Sequence, residues 1–446
     1  MSQVYQSAYD YKIKDFSILN HKHFRAVNIA SHVSELEIFE NIERPYLTGT
    51  FNMKDDQRIY DGVGFNGTEI FQITLESPQT DGNYITKFFS IVEIVDATKA
   101  SEHIEGLEIK IIENIYFNNS LNKINKAYQG TAEQIIKNIL GDNLEIDMEE
   151  EDMPSIKSAQ EPFVCCIPNW TALEACEYIR AKMSTDLGLP YFLYSTLNDN
   201  NLQLKSLEEI LRNPSINPDN PYRFSRAFNQ SKASVSQDDN VINVSAFSSK
   251  HKQNTLMQMH AGATSVQHSI IDITQGKTIS YTFDVDELFE QVMNNNLIPS
   301  DQVPVHHSNY EFKNKKANEY NAMHIHSVVM NNTYNGINNY LEQNTPAQFR
   351  LGACNNALTH MLFKTSMSIR VPGRLYLTGH NASLGRQIDF IYPANNTLIS
   401  GAANVTADDI EDKIRSGTYV IYTARHHFNN QQHNVDMGCV KLGNRK

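Results

Sequence analysis

Apolar and polar residues alternate one by one in several short stretches of the first 118 residues. In ELEIFENI (35–42), Leu36 and Ile38 fall on one face of an extended chain. The same period of two occurs in TGTFNM (48–53), EIFQITLE (69–76) and LEIKIIE (107–113). Runs rich in Gly, Asp and Pro separate these stretches. The pattern predicts half-buried antiparallel strands joined by turns, in a small barrel or sandwich.

From about residue 119 the spacing of apolar residues becomes helical. GTAEQIIKNILGDN (130–143) and NWTALEACEYIRAKMSTDLG (169–188) each carry an apolar stripe behind a threonine, Thr131 or Thr171, at capping-box spacing from Gln134 or Glu174. The first helix is expected to stop at Gly141. LPYFLYST (189–196) and LQLKSL (202–207) flank the turn LNDNN and predict a hairpin. Residues 119–212 therefore form a compact α+β module.

The rest of the chain returns to β patterning after a proline-rich run at 212–224. DVDELFEQVMNNNL (284–297) predicts a helix, MHIHSVVM (323–330) is ambiguous, and the last hundred residues contain five strand-like stretches, among them SGTYVIYTARHHF (416–428). The predicted fold is mainly β, with two similar antiparallel barrels. Its parts are a first barrel at 1–118, the α+β module at 119–212, a linker and the first strands of a second barrel at 213–250, a mixed α/β insertion at 251–350, and the remainder of the second barrel at 351–446.

Composition narrows the class of protein. The chain is 40% hydrophobic and 20% charged, with a net charge of −13, and its Lys and Arg are scattered. Proteins that bind nucleic acid tightly usually carry an excess of basic residues or a basic surface patch, so tight DNA binding is not expected. The acidic run DMEEEDM (147–153) is interpreted as a solvated loop. No apolar run approaches a membrane span, and the start lacks the apolar core of a signal peptide.

The five cysteines, Cys165, Cys166, Cys176, Cys354 and Cys439, are odd in number and contain no CxxC pair. This spacing argues against a disulfide framework and a cysteine zinc site, and favours maturation in a reducing cytoplasm.

Three groups of histidines are candidates for a metal site. His426 and His427 are adjacent, so a strand would point them to opposite faces, and His433 lies beyond a predicted turn. His324 and His326 share a face at a spacing that some zinc enzymes use, but no third ligand is indicated. The stretch VHHSNYEF (305–312) is interpreted as a loop. No metal site is predicted.

Motifs of nucleophilic and phosphate-binding enzymes are absent from the sequence. It contains no G-x-S-x-G elbow, no G-x-x-x-x-G-K-[ST] loop and no G-x-G-x-x-G after a strand. The 51 acidic residues leave a glycosidase pair open, but nothing singles out two of them. We therefore predict no catalytic residues and no cofactor.

Two stretches resemble the baseplate hub proteins of contractile-tailed bacteriophages, the superfamily of late control protein D and the amino-terminal part of VgrG. In 33–78 the resemblance rests on an acidic turn, a Pro-Tyr-x-x-Gly element, an aspartate that ends a strand and a Gly-x-Glu strand; these are Glu40 to Ile42, Pro45, Tyr46, Gly49, Asp55 or Asp56, Gly67, Glu69 and Ile70. In the final hairpin Gly417, Tyr419 and Ile421 lead to the family's histidine at His426. His433 occupies a place that is normally aromatic.

This resemblance implies an assembly. Each chain would contribute two tube-like barrels, and three chains would form a homotrimeric ring that adapts a sixfold tail tube to a threefold central spike. Its partners would be the spike protein, tube-initiating or tail-tube proteins and the tape-measure protein. DNA would slide through an acidic lumen during ejection. The protein would belong to the virion tail, assembled in the cytoplasm of the host bacterium.

Two other functions stay open at this point. One is a tail-associated cell-wall hydrolase or metallopeptidase that uses His324, His326 or the terminal histidines. The other is a secretion-system spike of the same superfamily, which is disfavoured because the chain ends soon after the last hairpin and leaves no room for a needle.

Overall fold

The structure is a computed structural model that describes residues 11–19, 26–76, 84–99, 104–159, 163–219, 221–224, 244–251, 255–273, 276–304, 311–320, 323–329, 345–362, 365–373, 383–393, 411–429 and 432–446. Parts of the regions predicted as the linker and first strands of the second barrel (213–250), as a loop (305–312) and as strands in the last hundred residues lie outside these residues.

The first β region contains seven strands and one short helix. They are β1 (Lys12–Leu19), β2 (Val27–Asn28), β3 (Val33–Asn41), β4 (Thr48–Asp55), α1 (Ile59–Val63), β5 (Ile70–Glu76), β6 (Tyr84–Lys99) and β7 (Glu105–Glu113). The α+β module follows, with α2 (Asn114–Leu121), β8 (Ile124–Gly130), α3 (Ala132–Leu144), β9 (Phe163–Trp170), α4 (Ala172–Arg180), β10 (Tyr191–Ser195), β11 (Leu202–Ser206) and α5 (Leu207–Arg212).

The remaining elements contain most of the second β region and an insertion. They are β12 (Tyr222–Arg223), β13 (Ala246–His251), α6 (Thr255–His260), β14 (Ser265–Asp272), β15 (Lys277–Asp284), α7 (Val285–Asn294), β16 (Gln302–Pro304), β17 (Glu311–Phe312), β18 (Lys315–Lys316), a 3-10 turn (Ala317–Glu319), β19 (Met323–Val329), α8 (Thr345–Leu362), β20 (Thr365–Pro372), β21 (Gln387–Ile391), β22 (Gly417–Asn429), β23 (Gln432–Val440) and β24 (Gly443–Arg445).

The two β regions join in one sheet of 13 strands. Its order is β13-β20-β23-β22-β3-β4-β7-β6-β5-β1-β2, and β12 and β21 attach beside β22. The junction is the antiparallel pair β22 and β3, which places His427 opposite Glu37 and Phe428 opposite Leu36. The mainly β fold with a mixed module is thus confirmed.

Three clusters of buried side chains support the fold. In the first β region, Phe51 packs against Phe16 and Phe71 with ring centroids 4.9 and 5.1 Å apart. In the module, the predicted stripes of α3 and α4 are buried together, for example Ile139 and Cys176. The third cluster joins the second β region to α7 and α8. Clusters of this kind exclude water from apolar surface and stabilise each region.

Capping residues fix where the module's helices begin. Thr171 and Glu174 form a complete capping box, whereas Thr131 accepts from the Gln134 N–H but Gln134 turns to Asn138. The predicted stop at Gly141 is wrong: α3 continues to Leu144, and Glu145 ends it in the left-handed conformation with φ 57°.

Three elements of the structure could not be assigned from the local sequence pattern: β12, α8 and β19. Part of the proline-rich run forms β12, which pairs with β21 in parallel and buries Tyr222. Helix α8 was not predicted, although Leu351, Cys354 and Leu358 form a buried stripe in it. MHIHSVVM proves to be strand β19, at the edge of the three-stranded sheet β15-β14-β19.

Candidate functional site

Pairing of β22 with β3 creates a buried polar cluster between sheet strands that are otherwise lined by apolar side chains on this face. His426 lies opposite Ile38, and Ala424 lies opposite Glu40. His433, from β23, comes beside them because it pairs with Phe428. His426 and His433 are fully buried, and Glu40 is 2% exposed. A buried polar group is costly unless it has partners, so the contacts of these residues decide their role.

The cluster is a linear chain of contacts. Nε2 of His426 lies 3.3 Å from Glu40 Oε2, and Nδ1 of the same ring lies 3.1 Å from His433 Nε2. Glu40 also accepts a hydrogen bond from the Leu197 N–H at 2.5 Å and another from the Ser383 hydroxyl. Glu40 therefore connects the first β region, the module and the second β region.

Charge and burial shift the pKa values of Glu40 and His433, the two residues at the ends of this chain of contacts. Burial alone would raise the pKa of Glu40, but His426 and the hydrogen bonds from Ser383 and Leu197 hold that pKa below its usual value. Burial, followed by the charges of His426 and His427, keeps the pKa of His433 well below that of a free histidine. The result is an anionic Glu40 at one end and a neutral His433 at the other.

This geometry suits proton sharing and structural support better than metal binding. A metal needs ligand atoms that converge on one point. Here Glu40 and His433 contact opposite nitrogens of His426, so the three side chains extend in a row.

The His433 ring packs as an aromatic side chain would at this position. Its ring stacks on Phe428 at 4.2 Å with an interplanar angle of 8°, and its carbonyl accepts from the Gly373 N–H at 2.9 Å. A side chain at position 373 would overlap the His433 ring. The His433 ring is thus confined between Phe428 and the backbone of Gly373.

His426 and His427 point to opposite faces as expected, but the sequence pattern around the turn did not indicate that His433, beyond it, would contact His426. The hairpin brings these two rings together across β22 and β23. A signal was present in the sequence: Glu40 continues the alternation of Leu36 and Ile38, so a charged residue falls in phase with a buried face.

The opposite face of the same sheet is polar and rich in ion pairs. His427 contacts Glu37 at 3.0 Å and Asp436 at 3.2 Å. Arg425 pairs with Glu37 at 2.6 Å, and Arg370 forms a bidentate pair with Asp436 at 2.5 and 2.7 Å. These contacts strongly lower the pKa of Asp436, against the raising effect of its burial.

Strand register arranges polar residues of this face into three rows perpendicular to the strands, the first across three strands and the other two across five or more. They are Arg370, Asp436 and Arg425; Asn434, His427, Glu37, Thr50, Lys110 and Glu93; and Asn429, Glu35, Asn52, Glu108 and Asp96. The rows contain six carboxylates against three permanent cations. We call this surface the polar sheet face.

One group of metal-ligating side chains lies on the polar sheet face. Among the described residues, Glu35, Glu37 and His427 are the three that bring potential ligand atoms within 4.8 Å of one another. Glu37 already pairs with Arg425 and His427, and Glu35 accepts from Asn52 at 3.1 Å. Most of the ligand atoms in this group therefore already have partners without an ion.

Among the described residues, the other candidate metal ligands do not converge on one point. His324 and His326 are both exposed on β19 with ring centroids 6.5 Å apart, and the described residues add no third ligand beside them. His306 and His307 lie outside the described residues. All five cysteines are free thiols. No helix in the described parts of the chain has the length and apolar character of a membrane span.

Three solved structures that are similar to this chain are tail proteins. The tail protein from Neisseria meningitidis MC58 aligns over 97% of both chains, with a TM-score of 0.51 and 11% identity. The 43 kDa tail protein of prophage MuSo2 from Shewanella oneidensis aligns over 96% of this chain and 98% of its own, with a TM-score of 0.49 and 10% identity. Prophage tail protein gp18 from Listeria monocytogenes EGD-e covers 96% and 94%, with a TM-score of 0.45 and 9% identity.

Sequence comparisons add nothing to these likenesses, since no family model and no curated protein matches the chain. At 11% identity the likeness to the Neisseria protein establishes the fold. It confirms, at that level, the resemblance to tail proteins that the sequence motifs predict.

Proposed function

We propose that this chain is a structural, non-enzymatic component of a phage tail baseplate, the hub. Three copies would form a ring that adapts the sixfold tail tube to the threefold central spike of a contractile tail. The observation that carries the proposal is a pair of open edges on the main sheet.

Eight strands of the sheet run without interruption from β13 to β6. Within the described residues, β13 pairs with β20 alone, and β6 from Val92 to Lys99 pairs with β7 alone. This part of β6 also exposes Val92 by 57% and Val95 by 44%. Long open edges invite pairing with another chain, so natural proteins cover them or close them.

Edge-to-edge joining of three copies would close such a sheet. Three times eight strands give a barrel of 24, with β6 of one chain beside β13 of the next. Each chain supplies four strands from its second β region (β13, β20, β23, β22) and four from its first (β3, β4, β7, β6). Six similar four-stranded units around a threefold ring would match a sixfold tube.

The polar sheet face would then line the lumen, because the other face carries the apolar clusters. The three rows hold six carboxylates against three permanent cations, and Lys54 and Lys250 extend the same face, so this face carries a small net negative charge per chain. An acidic wall repels phosphates, so duplex DNA would pass during ejection without being held.

The remaining partners are those that the resemblance to baseplate hub proteins implies. One end of the ring would bind the central spike protein, and the other would bind tube-initiating, tail-tube and tape-measure proteins. The protein would be located in the virion tail after assembly in the host cytoplasm.

Native mass spectrometry with electron microscopy and elemental analysis tests the proposal. We expect a metal-free trimer of about 152 kDa, three times the 50.8 kDa chain, with a central pore. The double variant Val92→Lys/Val95→Lys should abolish the trimer because it places charges on the open edge. Val164→Lys, at a valine 55% exposed in the module, is the matched control and should leave the trimer intact.

Two results would overturn the proposal. A chain that stays monomeric at all concentrations and with the spike present would contradict the ring. A monomer with stoichiometric zinc would favour the metallopeptidase.

A further inference from the structure

A polar cleft of about 460 Å³ separates the module from the second β region. One wall contains Asp152, the β10–β11 hairpin and α5, and the other contains Leu384, Gly385 and Arg386 before β21. Its volume lies in the range of sites for small molecules or single side chains. None of the residues that line the cleft belongs to the buried group of Glu40, His426 and His433 or to the polar sheet face.

Glu40 holds the two walls at a fixed separation. Its carboxylate accepts from the Leu197 N–H, next to Thr196 in the first wall, and from the Ser383 hydroxyl, next to Leu384 in the second wall. Both contacts are buried. The cleft is therefore preformed, and a ligand would not need to order it.

Two carboxylates in the cleft share a single neutral donor. Nε2 of Gln203 lies 2.6 Å from Asp152 Oδ1 and 2.9 Å from Asp199 Oδ2. Burial raises the pKa of Asp152, the Glu149 N–H opposes this effect, and the charge of Asp199 adds to it. A cation between these groups would remove the repulsion that both carboxylates now experience.

Lys205, the lysine that lines the cleft, does not neutralise this pair. Nζ of Lys205 donates to the carbonyls of Glu151 and Met153 at 2.6 and 3.0 Å, and it contacts Glu209 at 3.3 Å. These three contacts use all its donors. Arg386 also lines the cleft, which leaves Glu151, Asp152 and Asp199 against one guanidinium.

A second, independent feature indicates a missing partner. Thr196 is fully buried, lines the cleft, and its Oγ1 has no hydrogen-bond partner among the residues that the structure describes. A buried hydroxyl without a partner costs free energy, so such groups usually face a ligand or water.

We propose that this cleft binds an arginine side chain from a protein partner. A guanidinium offers five donors in a planar fork, which can span Asp152, Asp199 and the Thr196 hydroxyl. Ile210, Leu384 and the ring of Tyr194 provide apolar surface for its methylene groups. A metal ion fits less well, because no three acidic side chains of the cleft bring ligand atoms within 4.8 Å of one another. The proposal does not depend on the ring.

Isothermal titration with N-acetyl-arginine amide tests it on the full chain. N-acetyl-citrulline amide, which has the same shape without the charge, should bind at least about tenfold more weakly. Asp199→Asn should weaken arginine binding about tenfold. Thr196→Val removes only an unpartnered hydroxyl, so it should fold normally and weaken binding about threefold. Glu150→Gln, in the same acidic run but outside the cleft, should have no effect.

Equal affinity for the arginine and citrulline probes would overturn the proposal, as would unchanged binding by both Asp199→Asn and Thr196→Val. Displacement of the arginine probe by stoichiometric calcium would assign the cleft to a metal instead.

Discussion

The amide of Leu197 donates a 2.5 Å hydrogen bond to the carboxylate of Glu40, across 157 positions of sequence. Ser383, 343 positions from Glu40, donates to the same carboxylate. One side chain on β3 thereby connects three regions that each have a separate apolar cluster. Loss of this carboxylate should therefore destabilise the packing of all three regions.

Glu40→Ala should lower the free energy of unfolding by about 3–5 kcal/mol, because it leaves the Leu197 amide, the Ser383 hydroxyl and His426 buried without their acceptor. Glu40→Gln should cost less, since an amide oxygen can replace one acceptor. Urea unfolding followed by circular dichroism measures both. Glu108→Gln, exposed on the polar sheet face, is the control and should change stability by less than about 0.5 kcal/mol. A Glu40→Ala variant as stable as this control would contradict the role of Glu40.

Gly373→Ala should destabilise the chain by about 2 kcal/mol or more, because the new methyl group would overlap the His433 ring. Gly352→Ala, in α8 with open space around its Cβ position, should be neutral or stabilising by up to about 1 kcal/mol. Thermal unfolding of the two variants compares them directly. The further change His433→Ala should relieve part of the Gly373→Ala penalty; a purely additive double variant would show that the ring is not the obstacle.

Acid should destabilise the protein through His433 before it acts on the carboxylates. The native pKa of His433 is well below its unfolded value of about 6.5, so the unfolded state binds the extra proton as the pH falls below that value. Stability present above pH 6.5 should therefore decline by up to about 1.4 kcal/mol per pH unit between pH 6.5 and 5. Glu40, whose native pKa is lowered, loses its contribution only below about pH 4.5.

The variant His433→Phe keeps an aromatic ring on Phe428 and removes the titrating group. Its stability should fall less steeply over the same interval, as measured by urea unfolding at pH 7.5, 6.5 and 5.5. Parallel pH profiles for the two proteins would assign the acid sensitivity to other groups.

Charge reversal on the polar sheet face should make the ring retain DNA. Glu35→Lys, Asp96→Lys and Glu108→Lys each change the local charge by two units, and we expect a salt-dependent mobility shift of linear duplex DNA that the native protein does not produce. Duplex DNA can thread into a closed lumen only from a free end of the DNA. Equal binding of closed circular DNA would therefore place the contact on the outside of the ring.

Sequence patterns predicted what is local and missed what depends on distant partners. The strands around Phe51 and Ile109 and the capping box at Thr171 follow from neighbouring residues, and all are present. Helix α8 was missed although Leu351, Cys354 and Leu358 lie at helical spacing in the sequence. The meeting of His426 and His433 depends on a hairpin register that no local pattern determines.

A charged residue that alternates with apolar residues along a strand is a sequence signal. It could have predicted where the sheet makes buried contacts. Lys87 alternates with Ile85 and Phe89, and Glu113 alternates with Ile109 and Ile111. These two residues form a buried ion pair at 3.0 Å, and Glu113 also accepts from the Leu47 amide at 2.9 Å. Like Glu40, they mark positions where the sheet contacts another part of the chain, since Lys87 donates to the carbonyl of Asp199 in the module.

The pairing of β3 with β22 also has a consequence during translation. Asn41 leaves the ribosome 382 residues before its partner, Thr423. At roughly 5–20 residues per second, β3 would wait about 20–80 s with one edge unpaired. A nascent strand in this state can pair with neighbouring chains on the same messenger. Slow synthesis of this protein should therefore favour aggregation, and a holdase that covers β3 until β22 is made should increase its yield.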